Sequence, residues 1–203
     1  MEEGDPVEFH DRLAEDYLDA FSEPSDYLEN FLQKLDVGSK VLDAGCGAEV
    51  DTSYIASEGF EVIGVDLSDE MLRVAQENFG DLDFRKQDLR NLDFPENSFD
   101  GIVASFSLIY LEKSDVPKAL EDFREMIKDD GLLFISVQIG ESRELLVDDP
   151  VVEGDIFMNV VTKNEIHKLL TENGFKVMEE HQREPKSPDE FNFNKLYIIA
   201  EAS

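Results

Sequence analysis

The chain has no tryptophan, one cysteine, three histidines and 18 basic residues among 203. A single cysteine excludes an intramolecular disulfide. His10, His167 and His181 stand at no metal-ligand spacing and no Cys/His cluster exists, so no metal site is expected. The longest apolar runs, such as GIVASFSLIYL, fall well short of the roughly 20 residues that span a bilayer. The opening MEEGDPVEFHD is acidic and has neither the basic start nor the apolar core of a signal peptide. Internal repeats and low-complexity segments are also missing. What remains, with 41% hydrophobic residues, predicts one cytoplasmic domain with a substantial core.

The shortage of basic residues is set against 48 acids, for a formal net charge of −30. Such a field repels nucleic acid and anionic membranes. The acids run along the whole chain, which argues against a disordered acidic arm and against a dedicated binder of one basic partner. Self-repulsion on this scale destabilises a compact state unless salt screens it. The charge therefore predicts an acidic surface adapted to a salty cytoplasm, as in a halophile.

Strand-like and helix-like segments alternate. Leu13, Tyr17 and Phe21, then Leu28, Phe31, Leu32 and Leu35, have helical spacing interrupted at Pro24. KVLDAG, FEVIGVD, LDFRKQD, FDGIVASF and GLLFISVQ read as five strands, with helices between them. Ser68 is a good N-cap, Ser114 or Asp115 caps the next helix, and Thr162 with Glu165 forms a capping box. FKVMEE and NKLYIIAEA follow with no helix between them, and so predict an antiparallel pair at one edge. The expectation is a three-layer α/β/α fold around a doubly wound, mostly parallel seven-stranded sheet.

Ligands in such sheets bind beyond the carboxyl ends of the strands. Strand one ends at Asp43 and enters Gly45-Cys46-Gly47, a loop that lets backbone approach a ligand. Asp66 ends strand two about twenty residues on, where an acid accepts from the hydroxyls of an adenosine ribose. Asp88 is placed to accept from an adenine amino group, with Leu67 and Leu89 sandwiching the ring. Cys46 has no local base and reads as a small loop residue. A nicotinamide dinucleotide would want a third glycine at Val50 for its pyrophosphate, and Glu49, Val50 and Asp51 suit that ligand poorly. S-adenosylmethionine carries no phosphate, and its ammonium and sulfonium tolerate acids; Asp43 could face the ammonium.

KVLDAGCGAEVDTSYIASEGFEVIGVDLSDEML, DFRKQDLRNLDFPENSFDGIVASFSLIYL, ALEDFREMIKDDGLLFISV and LLTENGFKVMEE together resemble the class I S-adenosylmethionine-dependent methyltransferases, small-molecule type, with a Rossmann-like fold. The resemblance implies one domain: lid helices over 1–36, a cofactor-binding core over 38–140, an acceptor-side insertion over 141–161, and a closing helix and strand pair over 162–203. It implies that Asp43, Gly45, Cys46 and Gly47 line the methionine part, that Asp66 holds the ribose, and that Leu67, Asp88 and Leu89 hold the adenine. Ser105 would lie near the sulfonium or amino group, and Tyr17 would cover the cofactor from the lid helix. His10, Phe106 and Tyr110 are candidates on the acceptor side. The implied reaction is methyl transfer to a small molecule by in-line displacement, with no catalytic residue assigned. A cofactor-binding protein without transfer activity and an NAD(P)-dependent reductase are the alternatives. The chain departs from the family pattern at Glu49, where a glycine is usual, and at Val50, where an arginine often follows. Glu49 either points to solvent as a helix-start acid, the favoured reading, or turns inward toward the methionine end of the ligand.

Overall fold

The computed structural model describes residues 4–15, 22–149, 154–188 and 190–203. Helix α1 (Pro6–Leu13) starts where the Asp5 carboxylate accepts from Val7 N, with proline in its first turn. Helix α2 (Leu28–Leu32) follows the left-handed residue Tyr27. The core then alternates: β1 (Lys40–Ala44), α3 (Val50–Ser57), β2 (Glu61–Asp66), α4 (Asp69–Asn78), β3 (Asp83–Lys86), β4 (Phe99–Ser105), a 3₁₀ turn at Leu108–Tyr110, α5 (Val116–Met126) and β5 (Ile127–Ile139). Next come β6 (Arg143–Asp148), β7 (Asp155–Val160), α6 (Lys163–Glu172), β8 (Phe175–Arg183) and β9 (Asn194–Ala202).

Seven strands form one sheet in the order β3-β2-β1-β4-β5-β9-β8. The first five are parallel, and β9 runs antiparallel between β5 and β8. The direction of winding reverses between β1 and β4, so the switch point lies beyond Ala44 and Ser105. Alternation along each strand builds two cores. Leu42, Ile102, Leu133 and Ile135 pack with Leu120 and Phe123 of α5 and Ile166 and Leu170 of α6. Val41, Val103, Leu132 and Phe134 face the other way, onto Leu28 and Phe31 of α2 and Ile55 of α3.

The capping signals act as expected at Ser68, which accepts from Met71 N, and in the reciprocal box of Thr162 and Glu165. Asp115 is the N-cap of α5 but makes no side-chain cap bond. Tyr17 and Phe21 lie outside the described residues.

The segment read as an interruption after strand five holds a hairpin instead. β6 and β7 pair antiparallel from Arg143–Val160 to Asp148–Asp155 as a separate two-stranded sheet. Ile156, Met158 and Val160 are all buried, a period of two that marks β7. Its free edge is met by the N-terminal segment, where Gly4 O accepts from Phe157 N. Strand β5 also begins earlier than GLLFISVQ suggests, because a register shift between Phe99 and Gly101 lets Ile127 pair before the main run resumes at Leu132.

Candidate cofactor site at the strand ends

The parallel register brings Asp43, Asp66 and Ser105 to one edge of the sheet. The loop after β1 is pinned from β2: Gly45 N and Cys46 N both donate to Val65 O, at 2.8 and 2.9 Å. Gly45 has φ +87°, and a Cβ there would sit 2.3 Å from Ser107 Cβ. Any larger residue would push the loop off the 3₁₀ turn that follows β4. Gly47 N donates to Asp66 Oδ2 at 2.9 Å, and Asp66 Oδ1 accepts from Ser68 N at 2.9 Å. Asp66 thus ties the glycine loop to the start of α4 while staying half-buried, with lone pairs left for a ligand.

Asp43 is fully buried behind this loop. Its Oδ2 accepts from Thr52 Oγ1 at 2.6 Å, and its Oδ1 has no partner. Burial first, then the Asp51 charge, pushes its pKa up to about 8. Cys46 is buried too; burial and the charges of Asp66 and Asp43 push its thiol well above the ordinary range, so it stays protonated and inert.

Asp51 joins this cluster, though the sequence marks it only as an obstacle to pyrophosphate. It is 9% exposed in the first turn of α3 and accepts from Ser25 N and Ser25 Oγ, both at 2.7 Å. The chain of hydroxyls continues through Ser25 Oγ to Ser105 Oγ, from Ser105 Oγ to Ser136 Oγ at 3.1 Å, and from there to Phe106 N, which donates to Ser136 Oγ at 2.9 Å. With Phe106 N–H as the fixed donor at one end, each hydroxyl donates to the next and the last proton points at Asp51. The only local hint was a carboxylate beside Thr52, where the helix turns inward. Ser25 itself lies 26 positions away in sequence, so no spacing signal could pair them.

Glu49 overturns its expectation. It takes a left-handed conformation, φ +87°, at the start of α3, and it is 2% exposed. The Asn78 side chain on α4 hydrogen-bonds its carboxyl, Oε2 is left without a partner, and burial pushes its pKa up to about 7. Beside it, Ala48 packs in one apolar cluster with Met71 and Val74 of α4 and Phe9 and Leu13 of α1.

Asp88 lies beyond β3 and is already engaged. Arg90 Nε and Nη2 grip its carboxylate at 2.9 and 2.6 Å, and Arg90 N adds a third bond, holding the carboxyl below the usual range. Leu67 and Leu89 are half-buried; Leu89 packs on the main core. Phe106, at φ +51°, lays its ring edge-on against Tyr197 at 5.7 Å.

His10 and Tyr110 do meet, edge to face at 4.8 Å. His10 Nδ1 lies 2.6 Å from Pro6 O, which fixes the ring proton there and leaves Nε2 free to accept in the neutral ring. Burial and Asp149 push the Tyr110 phenol up, so the hydroxyl keeps its proton. Helix α1, which carries His10, is held to the start of α4 by Asp11, whose carboxylate accepts from Ser68 Oγ. Among the described residues no group of three or more His, Cys, Asp or Glu could hold a metal ion. A cavity of about 250 Å³ opens elsewhere, behind Leu108 and Ile109, walled by Val137, Val161 and Ile166. None of the strand-end acids lines it.

Comparison with known proteins bears on the family and the fold. The family described as "Methyltransferase domain" matches residues 17–180. A demethylmenaquinone methyltransferase of Paenarthrobacter aurescens is 37% identical over 100 residues, covering 49% of this chain and 39% of that protein. The chain thus spans less than half the length of such curated relatives. A methyltransferase structure from Methanosarcina mazei superposes with a TM-score of 0.78 at 19% identity, over 89% of this chain and 98% of that one. A 1,6-didemethyltoxoflavin-N1-methyltransferase of Burkholderia thailandensis, solved with S-adenosylhomocysteine, gives 0.73 at 21% identity, over 95% and 84%. At these identities the likeness shows the fold.

The buried acids set the sign of a pH dependence. Asp43, Glu49 and Asp51 all hold protons more tightly folded than unfolded. Between the ordinary carboxyl range and about pH 8 the native state therefore binds more protons, and stability falls as pH rises. Carboxylates held low, such as Asp26 and Glu190, act only below the ordinary range, where their stabilisation is lost as pH falls. The ligand-free protein is expected to be most stable near about pH 5. Glu49→Gln should match the parent there and exceed it at pH 8 by on the order of 1–3 kcal/mol in urea unfolding. Equal stability of the two proteins at pH 8 would show that Glu49 ionises freely.

Proposed function

The chain belongs to the methyltransferase-domain family, and from that premise we propose that it binds S-adenosylmethionine at the strand ends and transfers its methyl group to a small molecule. The observation that carries the reading is the glycine loop itself. Its Gly47 N–H is fixed by Asp66, and the fully buried Asp43 stands behind it with an unpartnered oxygen. That orphaned acceptor suits a ligand bearing an ammonium, and the absent Cβ of Gly45 keeps the loop close against Ser107.

When bound, S-adenosylmethionine supplies a methyl group already activated by a sulfonium leaving group. The protein's share of the work is then positioning and exclusion of water. Asp66 accepts from the ribose hydroxyls. Leu67 and Leu89 offer apolar surface to the adenine, and Asp88 reaches the adenine amino group with the oxygen lone pairs that Arg90 leaves. Asp43, Gly45, Cys46, Gly47 and Ser105 surround the methionine end, and Tyr17 lies on the segment that follows α1. His10 Nε2 and the Tyr110 hydroxyl face the acceptor side, one as an acceptor and the other as a donor; Phe106, just beyond β4, supports that side with its ring against Tyr197 of β9.

A nicotinamide-dependent reductase fits less well. A pyrophosphate needs free N–H groups at the start of α3, and there Glu49 and Asp51 are both buried acids. The binder without transfer activity differs from the proposed enzyme only in turnover. A net charge of −30 favours a small-molecule acceptor over nucleic acid, and supports a cytoplasmic protein of a salt-rich cell. Among the described residues no helix is long and apolar enough to cross a membrane.

Calorimetry with S-adenosylmethionine, S-adenosylhomocysteine and NADH tests the cofactor, and a labelled-methyl screen of metabolites tests turnover. S-adenosylhomocysteine should bind and NADH should not. Asp66→Ala should weaken S-adenosylhomocysteine binding by about 1.5–3 kcal/mol, the range for hydrogen bonds to a charged group. Unchanged affinity in the folded variant removes Asp66 from the site.

The charge makes a separate prediction. The melting temperature should climb steeply as KCl goes from dilute to about 1 M, where the Debye length shrinks to about 3 Å. A flat or falling curve would count against the halophilic reading.

A further inference from the structure

Asp43 and Asp51 are two buried carboxyl groups with no cation between them. Asp51 receives two donors from Ser25 and stands at the end of the hydroxyl chain through Ser105 and Ser136. Asp43 receives only the Thr52 hydroxyl. The other groups facing the pair are Asp66 from β2, whose charge also bears on Asp43, and Cys46 from the loop, a protonated thiol. Among the described residues no lysine, arginine or histidine pairs with either acid. Two buried carboxyl groups with no cation between them resist carrying two negative charges at once. The donors select Asp51 as the ionised member and leave the proton on Asp43, whose free oxygen has no other way to be satisfied.

We propose that Asp51 makes cofactor binding proton-linked: its negative charge, added to the cost of burial, keeps a proton on Asp43 while the site is empty, and the ammonium of the ligand's methionine end takes that proton's place. This rests on the S-adenosylmethionine reading of the site. The exchange balances: a neutral Asp43 carboxyl and a ligand ammonium become a carboxylate–ammonium pair, and one proton passes to the buffer. Asp51 acts here through Asp43 and is a positioning residue.

The test uses the whole protein with S-adenosylhomocysteine, which carries the ammonium, and 5′-methylthioadenosine, which keeps the adenosine and sulfur but lacks the amino acid end. Titrations at pH 7 in two buffers of different ionisation enthalpy, at fixed KCl, give the protons released per ligand. S-adenosylhomocysteine should release close to one proton and methylthioadenosine close to none. Affinity for S-adenosylhomocysteine should rise between pH 6 and pH 7.5, approaching about ten-fold per unit, and stay level for methylthioadenosine. The near-isosteric Asp51→Asn, checked for folding by its unfolding transition, should cut the proton count and flatten the pH profile. Binding of both ligands with no proton release, or an unchanged count in Asp51→Asn, overturns the proposal and leaves the cofactor reading standing. Failure of both ligands to bind overturns the cofactor reading and this inference with it.

Discussion

The parallel pairing of β1 between β2 and β4 is the constraint on which the rest depends. It sets Asp43 against Gly64 and Val103, and so delivers the ends of three strands to one edge of the sheet. Val65 O then accepts from two successive loop amides, and the glycine loop turns over the end of β2. With that turn made, Asp66 can reach Gly47 N, the 3₁₀ turn can close on Gly45, and Asp43 is sealed behind the loop. A slip of one residue in this register would reverse every side chain on β1 between the two cores and expose Asp43 on the wrong face.

The same edge concentrates negative charge that the protein handles in two ways. At the surface the scarce basic residues are shared among several acids. Arg73 touches Glu15, Glu70 and Glu77, and Arg183 touches Asp26 and Glu190. Most such exposed pairs contribute little stability. The Asp26 cluster has more structure to it, because Lys186 and the Tyr197 hydroxyl join the same carboxylate. This cluster anchors the segment whose neighbour, Ser25, reaches Asp51. Inside, no cation is spent: Asp43, Asp51 and Glu49 are kept by hydroxyls, an amide and protons. This unneutralised acidity is what the proposed ammonium-bearing ligand would meet.

Much of the fold was legible because it rests on short-range signals. The five parallel strands, their helices, the Ser68 cap, the Thr162–Glu165 box and the final strand pair all follow from periodicity and capping chemistry. Those signals also located Asp43, Asp66 and Ser105, since each ends a strand. The β6–β7 hairpin was missed although Ile156, Met158 and Val160 alternate. Expecting a helix after each strand masked a period of two. The burial of Asp51 was missed because an acid in the first turn of a helix has a simpler explanation, the helix dipole. The same default sent Glu49 to solvent.

By itself the sequence determined the order and type of the elements, the strand ends where ligand groups gather, and the excess of acids along the chain. These depend on local backbone preference and on which faces are apolar. Only the tertiary structure decided how the acids are used. Arg90 closes on Asp88, the Ser25 segment folds back onto Asp51, Glu49 turns beneath α4, and Asp43 is left with one oxygen unpartnered. Each of these depends on groups brought together through space and on the water removed around them, and neither quantity is carried by any local stretch of sequence.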